Sequence, residues 1–299
     1  MERDSKGILL ESGTNELEIV EFTIGNEHYG INVIKVREII ALMPPTKLPN
    51  SHPSLSGVIH LRGEILPVIN LAKVLGYPPR EPQAEDRYII TEMNQLKVAF
   101  HVHAVSRIHR ISWTDIEKPT DLAQGEKGGL VGVIKFPDKM VLLLDFEKIV
   151  VDMNPASGIH KGQLKDLGPR QRSTKKIMIA EDSAILRKLL EETLSEAGYS
   201  NLYFCRDGKE AWDALEANQD RIKDFVQLMI TDIEMPQMDG LHLTKRVKDH
   251  PKLRDMPVVI FSSLISDELR HKGEQVGANA QLSKPDIVNL IKVVDELVQ

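Results

Sequence analysis

The sequence predicts a multidomain protein with an all-β domain on its N-terminal side and an α/β domain on its C-terminal side. Residues 17–152 contain short apolar or alternating runs of strand length, whereas residues 176–298 alternate between strand-length and helix-length runs. Between them, residues 154–174 contain Pro, Gly and Ser and show no helix or strand period. A chain of 299 residues is long enough for two such domains.

The composition and charge of the chain exclude several classes of protein. Apolar residues make up 41% and charged residues 27%, which is typical of a chain that forms a hydrophobic core. The net charge of -6 offers no basic field for nucleic acid, and the single cysteine, Cys205, fits a reducing compartment. The sequence contains no apolar run long enough to span a bilayer and no signal peptide. We therefore expect a cytoplasmic protein that binds no nucleic acid and does not insert into a membrane.

The C-terminal part alternates apolar strands with amphipathic helices. The predicted strands are "KIMIAE", "NLYFCR", "QLMIT", "PVVIFSS" and "AQLSK". A representative helix is "GKEAWDALEAN", which carries Ala211, Trp212 and Leu215 on one face. Repeated βα units predict a five-stranded parallel sheet with helices on both faces. Ligands of such sheets bind at the carboxyl ends of the strands, so we expect the chemistry there.

Charged and hydroxyl side chains stand at four of these predicted strand ends. Glu181 and Asp182 end the first strand, Asp232 the third, Ser262 the fourth and Lys284 the fifth. Three carboxylates in one crevice repel one another unless a cation lies among them, and hard oxygen ligands favour Mg²⁺. With Lys284 as a positive charge and Ser262 as a hydroxyl donor, the set predicts phosphoryl transfer to Asp232. Each residue alone has a plainer interpretation, such as a helix N-cap for Asp182.

Residues 176–298 resemble a response-regulator receiver domain, through "AEDS", "TDIEMPQMDG", "IFSS", "GANAQLSKP" and "RDGKEA". The resemblance implies a flavodoxin-like fold and a phosphoryl group passed to Asp232 from a phosphohistidine of a partner kinase. It also implies Mg²⁺ ligation by Glu181, Asp182 and Asp232, together with the backbone carbonyl of Glu234.

The receiver resemblance also implies two features at the end of the last strand. Lys284 would contact the phosphoryl group, and the Lys284–Pro285 bond would be cis, which is a minority state for X–Pro bonds. Two positions depart from the usual pattern. Glu181 replaces the commoner aspartate, and Gln281 stands where many receivers carry an aromatic residue that switches conformation.

The strand-rich N-terminal part predicts a barrel or a sandwich, with hairpin turns at "GNEH" and "FPDK". His101 and His103 share one face of a predicted strand. A metal site would need further ligands, which no cysteine or carboxylate cluster supplies, so surface or barrel-lining histidines are favoured. Since the sequence contains neither a phosphate loop nor a nucleophile elbow, this part is predicted to be a binding module and not an enzyme.

Residues 17–155 resemble the CheW-like chemotaxis coupling domain, through "HYGINVIKVREII", "GVIHLRGEILPVINL" and "LLLDFEKIV". The resemblance implies two small β-barrels around a shared core, which bind chemoreceptor tips and the regulatory domain of a CheA-type kinase. Arg62 and Glu38 match family positions at or near the receptor-facing groove, although Arg62 could equally brace that groove. His60 departs from the asparagine that is usual at its position.

A coupling domain followed by a receiver is the architecture of the CheV family, and "GILLESGTNELEIVEF" also resembles its N-terminal segment. The predicted organisation is a tail at 1–16, a coupling domain at 17–155, a linker at 156–174 and a receiver at 175–299. The resemblance implies a non-enzymatic adaptor at membrane-associated receptor arrays. This adaptor would couple methyl-accepting chemoreceptors to a CheA-type histidine kinase under the control of Asp232 phosphorylation. The alternative is a phosphate sink, which drains phosphoryl groups from the kinase while the first domain only localises it.

Overall fold

The computed structural model describes residues 14–93, 96–117, 129–153, 172–263 and 267–298. These residues form two compact units, one built mainly from the strand-rich N-terminal part and one mainly from the C-terminal part. Most of the predicted tail and of the predicted linker lies outside the described residues. Among the described residues, no helix is long and apolar enough to cross a membrane.

The N-terminal unit consists mainly of two β-sheets. Its strands are β1 (Glu16–Ile24), β2 (Glu27–Asn32), β3 (Val36–Ala41), β4 (Leu55–Leu61), β5 (Glu64–Asn70), β6 (Arg87–Met93), β7 (Leu96–Val102), β8 (Ala104–Ser112), β9 (Ile116–Glu117), β10 (Leu130–Lys135) and β11 (Met140–Leu144). Its helices are α1 (Leu71–Val74) and α2 (Phe146–Met153). The strand orders are β8-β1-β2-β11-β10-β9 and β3-β6-β7-β5-β4. The hairpin turns predicted between β1 and β2 and between β10 and β11 are confirmed.

The two sheets of the N-terminal unit share one hydrophobic core. Phe22 of β1, Phe100 of β7 and Phe146 of α2 are fully buried in it. The ring centroid of Phe146 lies 4.8 Å from that of Phe100 and 6.1 Å from that of Phe22. Because α2 inserts an aromatic ring between residues of both sheets, the predicted shared core is confirmed.

A buried ion cluster joins distant strands of the six-stranded sheet. Glu21 of β1 is 0% exposed and accepts hydrogen bonds from His28 Nδ1 at 2.7 Å, His109 Nε2 at 2.5 Å and Lys139 Nζ at 2.6 Å. Burial opposes ionisation, but the bonds from Lys139, His109 and His28 outweigh it and lower the pKa of Glu21 to about 2. These contacts link edge strand β8 and the turn between β10 and β11 to the same carboxylate of β1.

The placement of His101 and His103 on one strand is wrong. His101 lies in β7 of the five-stranded sheet, whereas His103 lies between β7 and β8, at the point where the chain crosses to the six-stranded sheet. His101 Nε2 bonds to the buried carboxylate of Asp86 at 2.8 Å, and His103 Nδ1 accepts the Gly25 N–H at 2.8 Å. Both imidazoles therefore fasten neighbouring loops and strands of the domain.

The C-terminal unit is a parallel sheet flanked by helices. Its elements are β12 (Ser173–Ala180), α3 (Ala184–Glu196), β13 (Tyr199–Cys205), α4 (Gly208–Ala217), α5 (Ile222–Phe225), β14 (Leu228–Thr231), α6 (Gly240–Asp249), β15 (Val258–Ser262), α7 (Asp267–Gln275), β16 (Ala280–Ser283) and α8 (Ile287–Leu297). The strand order is β13-β12-β14-β15-β16 and every pairing is parallel. The predicted five-stranded parallel sheet is therefore confirmed.

Short polar side chains cap the N-termini of four helices of this unit. Ser183, Asp207, Asp239 and Asp286 each accept a hydrogen bond from a backbone N–H in the first turn of the helix that follows. In the strand order, the direction of chain progression reverses at the first strand, so β12 lies beside β14. The carboxyl ends of these two strands form the switch point at which such sheets bind ligands.

Candidate functional site

Two adjacent strand ends bring three carboxylates together. Ala180 of β12 pairs with Thr231 of β14, so the next residues, Glu181 and Asp232, leave the sheet side by side. Each of Glu181, Asp182 and Asp232 offers an oxygen that lies within 4.8 Å of the others. The structure thus gathers the three predicted acidic residues in one crevice.

Lys284 supplies a positive charge to this crevice. It follows β16, its side chain is buried, and its peptide bond to Pro285 is cis. Its Nζ donates to Glu181 Oε2 at 2.8 Å and to Asp232 Oδ2 at 2.9 Å. Because buried charges lose their hydration, these charge-assisted bonds are what makes their burial tolerable.

Glu181 occupies the most enclosed position of the three acids. Its other oxygen, Oε1, accepts the Ser183 N–H at 3.2 Å. Burial and the charge of Asp232 raise the pKa of Glu181 and Lys284 lowers it, which leaves a pKa of about 7. Burial thus disfavours the ionised form of this carboxyl group, and the ammonium of Lys284 opposes that effect.

The turn after Asp232 packs directly on its backbone. Asp232 Oδ1 accepts the Ile233 N–H at 2.6 Å, and Gly240 N donates to the Ile233 carbonyl at 2.9 Å. A Cβ on Gly240 would lie 1.8 Å from the Asp232 carbonyl oxygen, so only glycine fits there. Burial raises the pKa of Asp239, the N-cap of α6, to about 6. The Pro- and Gly-containing turn thus holds Asp232 in place.

The remaining predicted residues of the site lie close to this crevice in sequence and topology. Ser262 is the last residue of β15, the strand between β14 and β16, and it is 1% exposed. Its carbonyl accepts the Lys284 N–H at 3.0 Å. Glu234 is half-buried in the turn between Asp232 and α6. The hydroxyl donation by Ser262 and the metal contact of the Glu234 carbonyl stay predictions.

One residue of the site was missed by the sequence analysis. Arg187 of α3 donates from Nη1 to the carbonyl oxygens of Glu181, at 2.6 Å, and of Asp182, at 2.7 Å. The available signal was its position one helical turn after the Ser183 N-cap, on the helix end next to the acid pair. An arginine in the first turn of a helix is otherwise unfavourable, because it faces the positive end of the helix dipole.

In the N-terminal unit, the structure brings Arg62 and Glu38 together. Arg62 Nη2 lies 2.9 Å from Glu38 Oε2, and 78% of the Arg62 side chain is exposed. Arg62 and Gly63 form the two-residue turn between β4 and β5, with φ of 49° and 89°. A positive φ is unfavourable for arginine, and strain of this kind in an exposed turn is a reason to suspect function.

Comparisons with known proteins find relatives for both parts of the chain. Residues 18–153 match the CheW-like domain, and residues 177–295 match the response regulator receiver domain. The chain is 32% identical over 299 residues to the chemotaxis protein CheV3 of Helicobacter pylori, covering 95% of each protein. It is 28% identical to CheV2 of the same organism, covering 92% of this chain and 93% of that protein. A solved structure of the scaffolding protein CheW from Thermoanaerobacter tengcongensis shares 32% identity, with a TM-score of 0.41 over 43% of this chain and 88% of that one.

Proposed function

Because the chain belongs to the CheV family of chemotaxis proteins, we propose that it is an adaptor that couples chemoreceptors to a CheA-type histidine kinase. In this proposal, phosphorylation of Asp232 regulates the coupling. The CheW-like domain provides the docking surfaces, and the receiver provides the regulated input. Neither part acts as an enzyme on a separate substrate.

The acid cluster with its lysine is the observation that carries the phosphorylation proposal. The cluster offers hard oxygen ligands that suit Mg²⁺, from Glu181, Asp182 and Asp232. These side chains would hold the ion together with the backbone carbonyl of Glu234. When bound, Mg²⁺ neutralises charge on the oxygens of a transferring phosphoryl group.

In the proposed reaction, Asp232 is the phosphoacceptor. One of its carboxylate oxygens forms the new P–O bond as the P–N bond to the kinase phosphohistidine breaks, and the released imidazole takes up a proton. Lys284 Nζ, with three N–H groups, and the hydroxyl of Ser262 donate to phosphoryl oxygens. The contact of Lys284 with Asp232 at 2.9 Å supports this role, because the ammonium already lies beside the acceptor carboxylate.

Phosphotransfer from a radiolabelled CheA-type kinase tests the site. We expect label on the wild-type chain and none on Asp232→Asn, which keeps the shape of the side chain but lacks the nucleophilic carboxylate. Asp213→Asn is the matched control, because Asp213 is an exposed receiver aspartate that pairs with Lys209. Label that persists on Asp232→Asn, or in excess chelator, would contradict the assignment.

Wild type and Asp232→Asn, compared with each other, also distinguish an adaptor from a phosphate sink. A regulated adaptor changes the assembly of receptor and kinase when Asp232 is phosphorylated, and Asp232→Asn abolishes that change. A sink drains the kinase but leaves assembly as it was. Cosedimentation of kinase with receptor membranes, with and without phosphodonor, measures the difference.

For the docking surface, we propose that Arg62 contacts the chemoreceptor. Its exposed guanidinium and strained backbone support this role. Arg62→Ala should weaken cosedimentation with receptor membranes. If Arg62 only braces the groove through Glu38, then Glu38→Gln should weaken binding equally, and a direct contact would be refuted.

A further inference from the structure

We propose that Arg187 is a positioning residue for the metal site, because its guanidinium fixes the backbone turn that carries Glu181 and Asp182. This inference rests on the proposed function, since it concerns how the same site binds Mg²⁺. Arg187 does not supply a ligand itself. It would act through the two acids that do.

The geometry of the contact is specific to the acid pair. A single nitrogen, Arg187 Nη1, donates to the carbonyl oxygens of both Glu181 and Asp182, at 2.6 and 2.7 Å. β12 ends at Ala180, so these two carbonyls lie beyond the strand, where the chain turns into α3. The Arg187 N–H in turn donates to the Ser183 carbonyl at 2.9 Å, which anchors the arginine at the start of the helix.

Fixing these carbonyls fixes the direction of the side chains. Rotation of the peptide planes at 181 and 182 would turn each carboxylate relative to Asp232, which is held separately by the turn after β14. Groups that orient metal ligands in this way typically change metal affinity by about 10- to 100-fold when they are removed. Arg187 should therefore strengthen Mg²⁺ binding.

Electrostatics alone predicts the opposite sign. A guanidinium beside the acid turn repels a divalent cation, so removing its charge would strengthen Mg²⁺ binding if repulsion dominated. Two variants separate the orienting effect of Arg187 on the acids from its repulsion of the cation. Arg187→Lys keeps the charge, but its ammonium ends one bond short of the Nη1 position and so loses the reach to both carbonyls. Arg187→Gln loses both the charge and the reach.

Calorimetric titration of the full chain with Mg²⁺ alone tests the proposal. We expect both variants to bind Mg²⁺ about tenfold more weakly than wild type. Arg221→Gln is the control, because the Arg221 side chain hydrogen-bonds only to Asn218 within the described part of the chain. This variant should bind Mg²⁺ like wild type. Unchanged affinity in both Arg187 variants, or tighter binding by Arg187→Gln, would overturn the proposal.

Hydrogen exchange measured without metal shows whether the Arg187 variants remain folded. In chelator, hydrogen exchange at the amides of residues 181–183 should accelerate in both Arg187 variants, while exchange in β14 and β15 stays as in wild type. Loss of protection throughout the sheet in both variants would mean that Arg187 holds the whole receiver, which refutes a specific positioning role. If wild type binds no Mg²⁺, the proposed function fails together with this inference. If wild type and variants bind equally, only the inference fails.

Discussion

Replacing Lys284 with methionine should make the receiver depend on Mg²⁺ for its stability. The substitution keeps an unbranched side chain but removes an ammonium that is 3% exposed and bonded to Glu181 and Asp232 at 2.8 and 2.9 Å. Removing one partner of a buried ion pair typically costs about 3–5 kcal/mol, because the remaining charge is left uncompensated. In chelator, we expect the free energy of unfolding of Lys284→Met to fall by about this amount.

Mg²⁺ should restore more stability to the variant than it adds to wild type. In wild type, the ammonium already neutralises part of the acid cluster, so a metal ion relieves less repulsion there. In Lys284→Met the cluster binds the ion more tightly, and the gain in stability grows as the dissociation constant falls. Lys248→Met is the control, since Lys248 Nζ donates to the carbonyls of Arg254 and Met256 and to Asn279 Oδ1, none of which is charged.

Urea unfolding of protein labelled with 5-fluorotryptophan provides the assay. The chain has two tryptophans, and Trp212 lies buried in α4 of the receiver, so its fluorine resonance follows this unit. Titrations are compared in Mg²⁺ and in chelator. A gain from Mg²⁺ in Lys284→Met that is no larger than in wild type, or a similar gain in Lys248→Met, would refute the reasoning.

Two further substitutions have defined outcomes. Glu21→Gln should reduce stability at pH 7 by about 3 kcal/mol, which corresponds to lowering the carboxyl pKa from 4.5 to about 2. A carboxyl group whose pKa is lowered in the folded state stabilises the fold at pH values above its unfolded pKa. The difference in the free energy of unfolding between wild type and variant should therefore persist down to pH 4.5 and disappear towards pH 2. Urea unfolding and hydrogen exchange in β1 measure this difference. Gly240→Ala should unfold α6 or displace Asp232, since its Cβ would lie 1.8 Å from the Asp232 carbonyl oxygen, and phosphoryl uptake should fall. Gly129→Ala, whose Cβ would meet nothing within 4 Å, should behave like wild type in circular dichroism and uptake.

Local sequence patterns predicted the receiver well because each βα unit shows an apolar strand-length run followed by a helical period. The face of α4 formed by Ala211, Trp212 and Leu215 is buried as its spacing predicts. The same reasoning failed at His103, because the period of a strand does not reveal where the chain leaves one sheet for another. It also did not predict that the Glu21 carboxylate is buried, on the same face of β1 as Leu17 and Ile19.

By itself, the sequence determined which residue types stand at the strand ends, since apolar runs and Pro or Gly turns mark those ends locally. It also determined the order of the two domains and their resemblance to known families. Only the tertiary structure decided that Lys284 contacts both acids and that Arg187 holds their carbonyls. It likewise decided that His109 and Lys139, which are 88 and 118 residues away along the chain, meet at Glu21. The physical reason is that periodicity reports whether one residue is buried, whereas a contact between distant residues depends on strand order and packing, which no single segment encodes.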